Sequence, residues 1–291
     1  MPQNFDEIIN LAKNKQSTIA VAASDDENVI GAATIAMSKG IANFILVGDK
    51  PKIEQLGGSN FNIIHTDDKQ EACKIATGLV RDNKAQALMK GSVDTSVILK
   101  AALDKTHGIR TDKTLSHIAG FELSTYHKIL FITDPAINIA PDLQGKKAII
   151  HNAVYALNSL GIPKPKVALI AAKEKVDPKM PVTIEYETIV NEHASGFLTD
   201  NSIIDGPLAL DNAISLESCK LKGINSPIAG DADIILCPNI EVGNTLYKSL
   251  AFLAGAKTGG VVIGAKRPII LTSRADNVET KLISIALSLL F

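Results

Sequence analysis

A chain of 291 residues is long enough for one large core or two smaller ones, and 46% of it is hydrophobic. Its 30 Lys plus Arg against 31 Asp plus Glu leave a formal net charge of -1, which gives no electrostatic footprint for nucleic acid or an anionic membrane. Aromatic residues make up only 4% and Trp is absent, so base-stacking platforms are not expected.

The amino terminus, MPQNFDEIINLAKNKQ, is amphipathic and mixed in charge, which predicts a helix from Phe5 to about Lys15 rather than a signal peptide. No apolar run approaches the ~18 residues a membrane span needs. Thr18–Ala23 then reads as a buried strand, followed by a helix with Val29, Ala33 and Ala36 on one face. The strand Ile41–Val47 is closed by Asp49-Lys50-Pro51. The rhythm repeats with a strand at Phe61–His65, a helix over Glu71–Asn83 and a strand at Ala85–Met89. Alternation of this kind predicts an α/β fold with a mostly parallel sheet and helices on both faces.

Lys90-Gly91-Ser92-Val93-Asp94-Thr95-Ser96 is a polar loop opening a helix that carries Lys100. Two basic residues flank it, and Gly91 would let backbone amides approach a ligand. Asp94 or Thr95 would serve equally as an ordinary helix cap. Thr106–Thr114 reads as an exposed loop and Lys128–Thr133 as a strong strand. The Pro141- and Gly145-containing stretch Asn138–Lys147 reads as a connector between domains, after which the rhythm restarts with a helix to Leu160 and a strand at Val167–Ala171. Asp205-Gly206-Pro207 predicts a turn. Cys73, Cys219 and Cys237 have neither metal-like spacing nor a disulfide framework, and Cys237 ends an apolar strand as a buried small hydrophobe. Scattered histidines, including His117 and His151, have no metal or nucleophile pattern. The expectation is a reduced, cytoplasmic protein.

The last third holds two more short buried strands, Ile234–Cys237 and Ile269–Leu271. Asn244 is placed as the N-cap of the helix after the first. The second opens into Thr272-Ser273-Arg274-Ala275-Asp276 and then a helical stripe of Val278, Leu282, Ile285 and Leu289. Asp276 with Glu279 has the form of a capping box. Ser273 and Arg274 should therefore lie between a strand's carboxyl end and a helix's amino end, where α/β sheets bind ligands and the helix terminus favours an anion.

The segments MKGSVDTSVILKAAL (89–103), TDPAINIAPDL (133–143), NAVYALNSLGIPKPKVALIAA (152–172), DGPLALDNAIS (205–215), AGDADIILCPNIEVGNTLYKSL (229–250) and GAKRPIILTSRAD (264–276) resemble the phosphate acetyl/butyryltransferase family, in order and over nearly the whole chain. The resemblance implies two α/β domains around a cleft, an isocitrate/isopropylmalate dehydrogenase-like architecture, with residues 1–139 and 264–291 forming the first domain and 140–263 the second. It implies transfer of a short-chain acyl group, butyryl or branched, between coenzyme A and inorganic phosphate by direct attack in a ternary complex. Acyl-CoA or CoA and phosphate would be substrates, with no separate cofactor or metal, in a homodimer or larger homo-oligomer. Ser273 matches the motif serine that hydrogen-bonds the CoA thiol or the developing charge, and Arg274 the arginine that holds phosphate. Lys100 stands where the acetyltransferases carry an arginine, retaining charge but not fork geometry. Lys90, Ser92, Asn244 and Asp276 join the expected substrate-binding set. The acetyltransferases place a catalytic aspartate seven residues beyond the serine, where this chain has Thr280; Glu279 is the candidate general base, with a capping role equally open. Phosphate acetyltransferase and a CoA-binding relative without activity stand as alternatives. A metal- and nicotinamide-dependent dehydrogenase on the related fold would need a carboxylate cluster that cannot be assembled here.

Overall fold

The computed structural model describes residues 2–13, 15–196, 201–273 and 276–291. Two compact units divide the chain: Phe5–Lys113 with Thr258–Phe291, and Thr114–Lys257 with the first residues up to Asn4. The division falls before Thr114 rather than at the expected 139/140. The strand KILFIT belongs with the later unit because it hydrogen-bonds to strands on either side within that unit's sheet.

In chain order, α1 (Phe5–Ala12) buries Phe5, Ile8 and Ala12 at helical spacing. Next come β1 (Ser17–Ala22), α2 (Glu27–Ser38), β2 (Ala42–Gly48), α3 (Lys50–Gln55), β3 (Asn62–His65), α4 (Lys69–Arg81), β4 (Ala87–Lys90) and α5 (Thr95–Ala102). Three of these helices are opened by aspartates: Asp26 accepts from the Val29 amide, Asp49 from Lys52, and Asp68 from Gln70 and Glu71. The Asp49-Lys50-Pro51 segment thus starts a short helix rather than only closing a strand, since proline fits the first turn, where an amide would have no helical acceptor.

The later unit contains β5 (Ser116–Glu122), β6 (Leu130–Thr133), α6 (Leu143–Ser159), β7 (Lys166–Ile170), α7 (Pro181–Ala194), β8 (Ile203–Leu208), α8 (Leu210–Ile214), α9 (Leu216–Lys222), β9 (Ile234–Leu236) and α10 (Ile240–Lys248), the last running on as a π-helical turn over Ser249–Leu253. Its strands lie in the order β5-β6-β9-β7-β8, antiparallel only at β5–β6. Asp205-Gly206-Pro207 is not a turn but part of β8. Among the described residues that strand pairs only with β7, and the register shifts between Ala168 and Ile170, so the proline takes an edge position beside an irregularity.

The chain returns to the earlier unit through β10 (Lys257–Ile263), β11 (Ile269–Ile270) and α11 (Val278–Leu290). Strand order there is β3-β2-β1-β4-β11-β10; all pairs are parallel except β10–β11. α11 packs on α1, α2 and β11 and buries Leu282, Ile283, Ile285, Ala286 and Leu287. Each large aliphatic side chain so buried contributes about 1.5–3 kcal/mol as an upper bound. Among the described residues no helix is long and apolar enough to cross a membrane.

Candidate active site

Three strands of the earlier unit release the chain at one end of its sheet. β1 pairs in parallel with β4 through Ala22 and Lys90, and β4 with β11 through Met89 and Ile270. The segments that leave them, beginning at Ala23, Gly91 and Leu271, therefore emerge side by side at the carboxyl edge. That is the position at which parallel sheets bind ligands.

The segment after β4 is tied to the one after β1. The Gly91 amide donates to the Ala22 carbonyl at 2.9 Å and the Ser92 amide to Ala23 at 2.7 Å. A Cβ on Gly91 would stand 2.2 Å from the Ala23 oxygen, so the room glycine makes is taken by β1's own backbone. Lys90 is buried, with its ammonium donating to the Gly91 and Val93 carbonyls at 3.3 and 3.2 Å. It shapes the loop from inside. Ser92 Oγ accepts from Lys69 Nζ at 2.8 Å. Asp94 occupies the N-cap position of α5 without a side-chain cap bond. Lys100 is exposed on the last turn of α5 and lines a groove of about 970 Å³ with Lys74, Thr77 and Arg81 of α4. Among the described residues no hydrogen bond or ion pair engages its ammonium.

The segment after β11 closes on itself. The Ser273 amide donates to Asp276 Oδ2 at 2.6 Å, and the Asp276 amide donates back to the Ser273 carbonyl at 3.1 Å. With its carboxylate committed backwards, Asp276 does not cap α11. Asn277 does so instead, accepting from the Thr280 amide at 2.9 Å, so the expected Asp276–Glu279 capping box is replaced by an Asn277 cap. Glu279 is exposed as the second residue of α11, and Thr280 is the third. Ser273 is exposed; Arg274 lies outside the described residues.

Sequence reasoning missed Lys281. It is 2% exposed, and its ammonium donates to the carbonyls of Ser273 at 3.1 Å and Asp276 at 2.9 Å. Burial holds its pKa below the ordinary lysine value, while the charges of Asp26 and Asp276 oppose that shift. A signal was present: a lysine directly before Leu282 and Ile283, in a helix apolar on nearly every side, has little solvent to face.

Asn244 lies in the other compact unit and is not an N-cap. α10 is capped by Asn239, which accepts from the Val242 amide at 3.0 Å. The helix starts earlier because Gly243 must already be helical where it meets the backbone of Asp134; a Cβ there would be 2.6 Å from that oxygen. Asn244 Nδ2 donates to the Pro135 carbonyl at 3.2 Å. The buried carboxylate of Asp134, also unanticipated, accepts from the amides of Ala136, Ile137 and Asn138 and from Asn138 Nδ2. The TDPAIN stretch is folded around that acid. The structure thus brings Lys90, Ser92, Ser273 and Asp276 to neighbouring loops of one unit, sets Lys100 in its own groove, and seats Asn244 on the other unit.

The family described as phosphate acetyl/butaryl transferase matches residues 4–69 and 57–289. A probable phosphate butyryltransferase of Bacillus subtilis is 44% identical over 280 residues, 95% of this chain and 93% of that protein. The phosphate butyryltransferase of Clostridium acetobutylicum is 41% identical over 297 residues, covering 100% of this chain and 98% of its own. Among solved structures, a branched-chain phosphotransacylase from Enterococcus faecalis superposes with a TM-score of 0.86 at 33% identity, over 94% of this chain and 98% of that one.

Proposed function

The chain belongs to the phosphate acetyl/butaryl transferase family and is an acyltransferase, and we propose that it moves a butyryl or branched short acyl group between coenzyme A and inorganic phosphate by direct attack within a ternary complex. In the forward sense a phosphate oxygen adds to the thioester carbonyl. The tetrahedral oxyanion collapses, the C–S bond breaks, and the CoA sulfur leaves as a thiolate that takes up a proton. In reverse the thiol is deprotonated and attacks the acyl phosphate. Ser273 donates its hydroxyl hydrogen to the sulfur or the developing oxyanion, Arg274 grips phosphate with two parallel N–H donors, and Glu279 holds the thiol's proton. Lys100 adds a second cation for the phosphoryl group, Lys90, Ser92 and Asp276 shape the loops, and Asn244 belongs to the substrate-binding set. No further cofactor takes part, and the enzyme works in the cytoplasm as a homodimer or larger homo-oligomer, whose mass light scattering would measure.

The observation that carries this reading is the β4–β11 register, which sets the Ser273 loop beside the Lys90–Ser92 loop in a chain matched to the family almost end to end. The test is phosphate-dependent release of CoA thiol from butyryl-CoA, isobutyryl-CoA and acetyl-CoA. The protein's own thiols will not obscure the signal: burial pushes Cys237 up to about 12 and Cys73 to about 11, and Cys219 is also raised and buried. The expected ranking is butyryl and isobutyryl above acetyl. The reverse ranking would make the chain a phosphate acetyltransferase, and CoA binding without release a non-catalytic relative. Within this mechanism Glu279→Gln is expected to lower kcat roughly 10²-fold, the scale of a general base; unchanged turnover would remove Glu279 from that role.

A further inference from the structure

α11 holds a charge where its surroundings favour none. Leu282, Ile283, Ile285, Ala286 and Leu287 are buried around Lys281, and the helix is seated tightly: Ile283 meets Gly259 of β10 where a Cβ would come within 2.4 Å, and Ser284 Oγ accepts from the Gly260 amide at 3.0 Å. Removing an ammonium from water is costly, and a buried charge is commonly replaced by an apolar residue of similar volume with no loss of stability. The two carbonyls it serves belong to an exposed residue, Ser273, and a partly exposed one, Asp276, where water is an alternative donor. Stability alone therefore does not call for lysine here.

What the ammonium does is geometric. The Ser273 carbonyl accepts from both the Asp276 amide and Lys281 Nζ, the Asp276 carbonyl from Lys281 Nζ, and the Asp276 carboxylate from the Ser273 amide. Four hydrogen bonds tie Ser273 to Asp276 and fasten both to a helix that is itself locked against β10. We propose that Lys281 is a positioning residue for acyl transfer, fixing the backbone that presents the Ser273 hydroxyl to the reacting group. This rests on the acyl-transfer reading given above.

Lys281→Met keeps the length and volume of the side chain and removes its donors. The folded variant is expected to melt at or above the wild-type temperature. Its kcat for phosphate-dependent CoA release from butyryl-CoA is expected to fall roughly 10- to 100-fold, because a displacement of about 1 Å at a reacting group costs on that order. KM for butyryl-CoA and for phosphate should stay within about threefold. Amide hydrogen exchange in the peptide spanning 271–277 should accelerate at least tenfold, an opening about 1.4 kcal/mol easier. A kcat per folded molecule within twofold of wild type, or unchanged exchange in that peptide, would overturn the proposal. So would failure of K281M to fold, which would make Lys281 a support of the core. A wild-type chain with no phosphate-dependent release from any of the three thioesters would end the acyl-transfer reading and this proposal together. An active wild type with an unimpaired K281M would end this proposal alone.

Discussion

Replacing Ser273 with alanine is expected to lower kcat for phosphate-dependent CoA release roughly 10²–10³-fold, equivalent to about 2.7–4 kcal/mol of transition-state stabilisation. That is the scale measured when one preorganised donor to a developing oxyanion is deleted, and the proposed role of the Ser273 hydroxyl is of that kind. Three of the four hydrogen bonds that tie Ser273, Asp276 and Lys281 together use the backbone of Ser273: its amide donates to Asp276, and its carbonyl accepts from the Asp276 amide and Lys281. Alanine retains all three. The residue is exposed, so removing one oxygen leaves no cavity, and the melting temperature should hold within a degree or two, as for surface substitutions of ~0.5 kcal/mol or less. KM for butyryl-CoA should change little if the hydroxyl acts mainly on the transition state. A kcat within threefold of wild type would take Ser273 out of the chemistry.

How far the sequence could carry this picture depended on whether each feature was fixed locally. β1, β4, β6, β7 and β9 were legible because strands buried on both faces read as apolar runs. β10 was not, since Thr258-Gly259-Gly260 removes the apolar signal in order to admit Ile283 and the Ser284 hydroxyl. The Ser273 loop was placed correctly at a strand's carboxyl end because an apolar run, a polar break and a helical stripe follow one another in the chain. The cap was misjudged by one residue. Asp276 and Asn277 are both good caps, and the choice turns on the Asp276 carboxylate being engaged by the Ser273 amide, which no pattern encodes. Lys90 posed another difficulty. A basic residue at a loop reads as a hand held out to a ligand, yet its ammonium turns inward to backbone carbonyls, as does that of Lys281 in α11, which the sequence reading passed over. The unit boundary was hidden because the antiparallel β5–β6 pair interrupts the β–α alternation without any composition change.

Gly91→Ala is expected to be the most damaging small substitution at this edge of the sheet, and its cost is steric. The new methyl would stand 2.2 Å from the Ala23 oxygen, 2.8 Å from the Ala23 carbon and 2.9 Å from the Ala22 oxygen. None of these is the movable end of a side chain. Ala22 is held on both sides, paired with Val47 in β2 and Lys90 in β4, and Ala23 is buried at a φ of 51°, a region in which a residue with a Cβ already sits under strain. Relief requires drawing the β4 segment away from β1, at the expense of the Gly91–Ala22 and Ser92–Ala23 hydrogen bonds. Two such bonds at about 1 kcal/mol each, with about 1–3 kcal/mol for overpacking, give a loss of about 3–5 kcal/mol. At about 2–4 °C per kcal/mol the melting temperature should drop by about 10 °C. Gly40→Ala provides the contrast. A Cβ there meets nothing within 4 Å, and only its φ of 68° resists the substitution, at about 1 kcal/mol. If the two variants melt together, the β1 exit yields to Gly91→Ala, and the contact between these loops is softer than its distances imply. If Gly91→Ala melts far below Gly40→Ala, the glycine after β4 is required by the backbone of β1, and the segment carrying Lys90 and Ser92 owes its position to that contact.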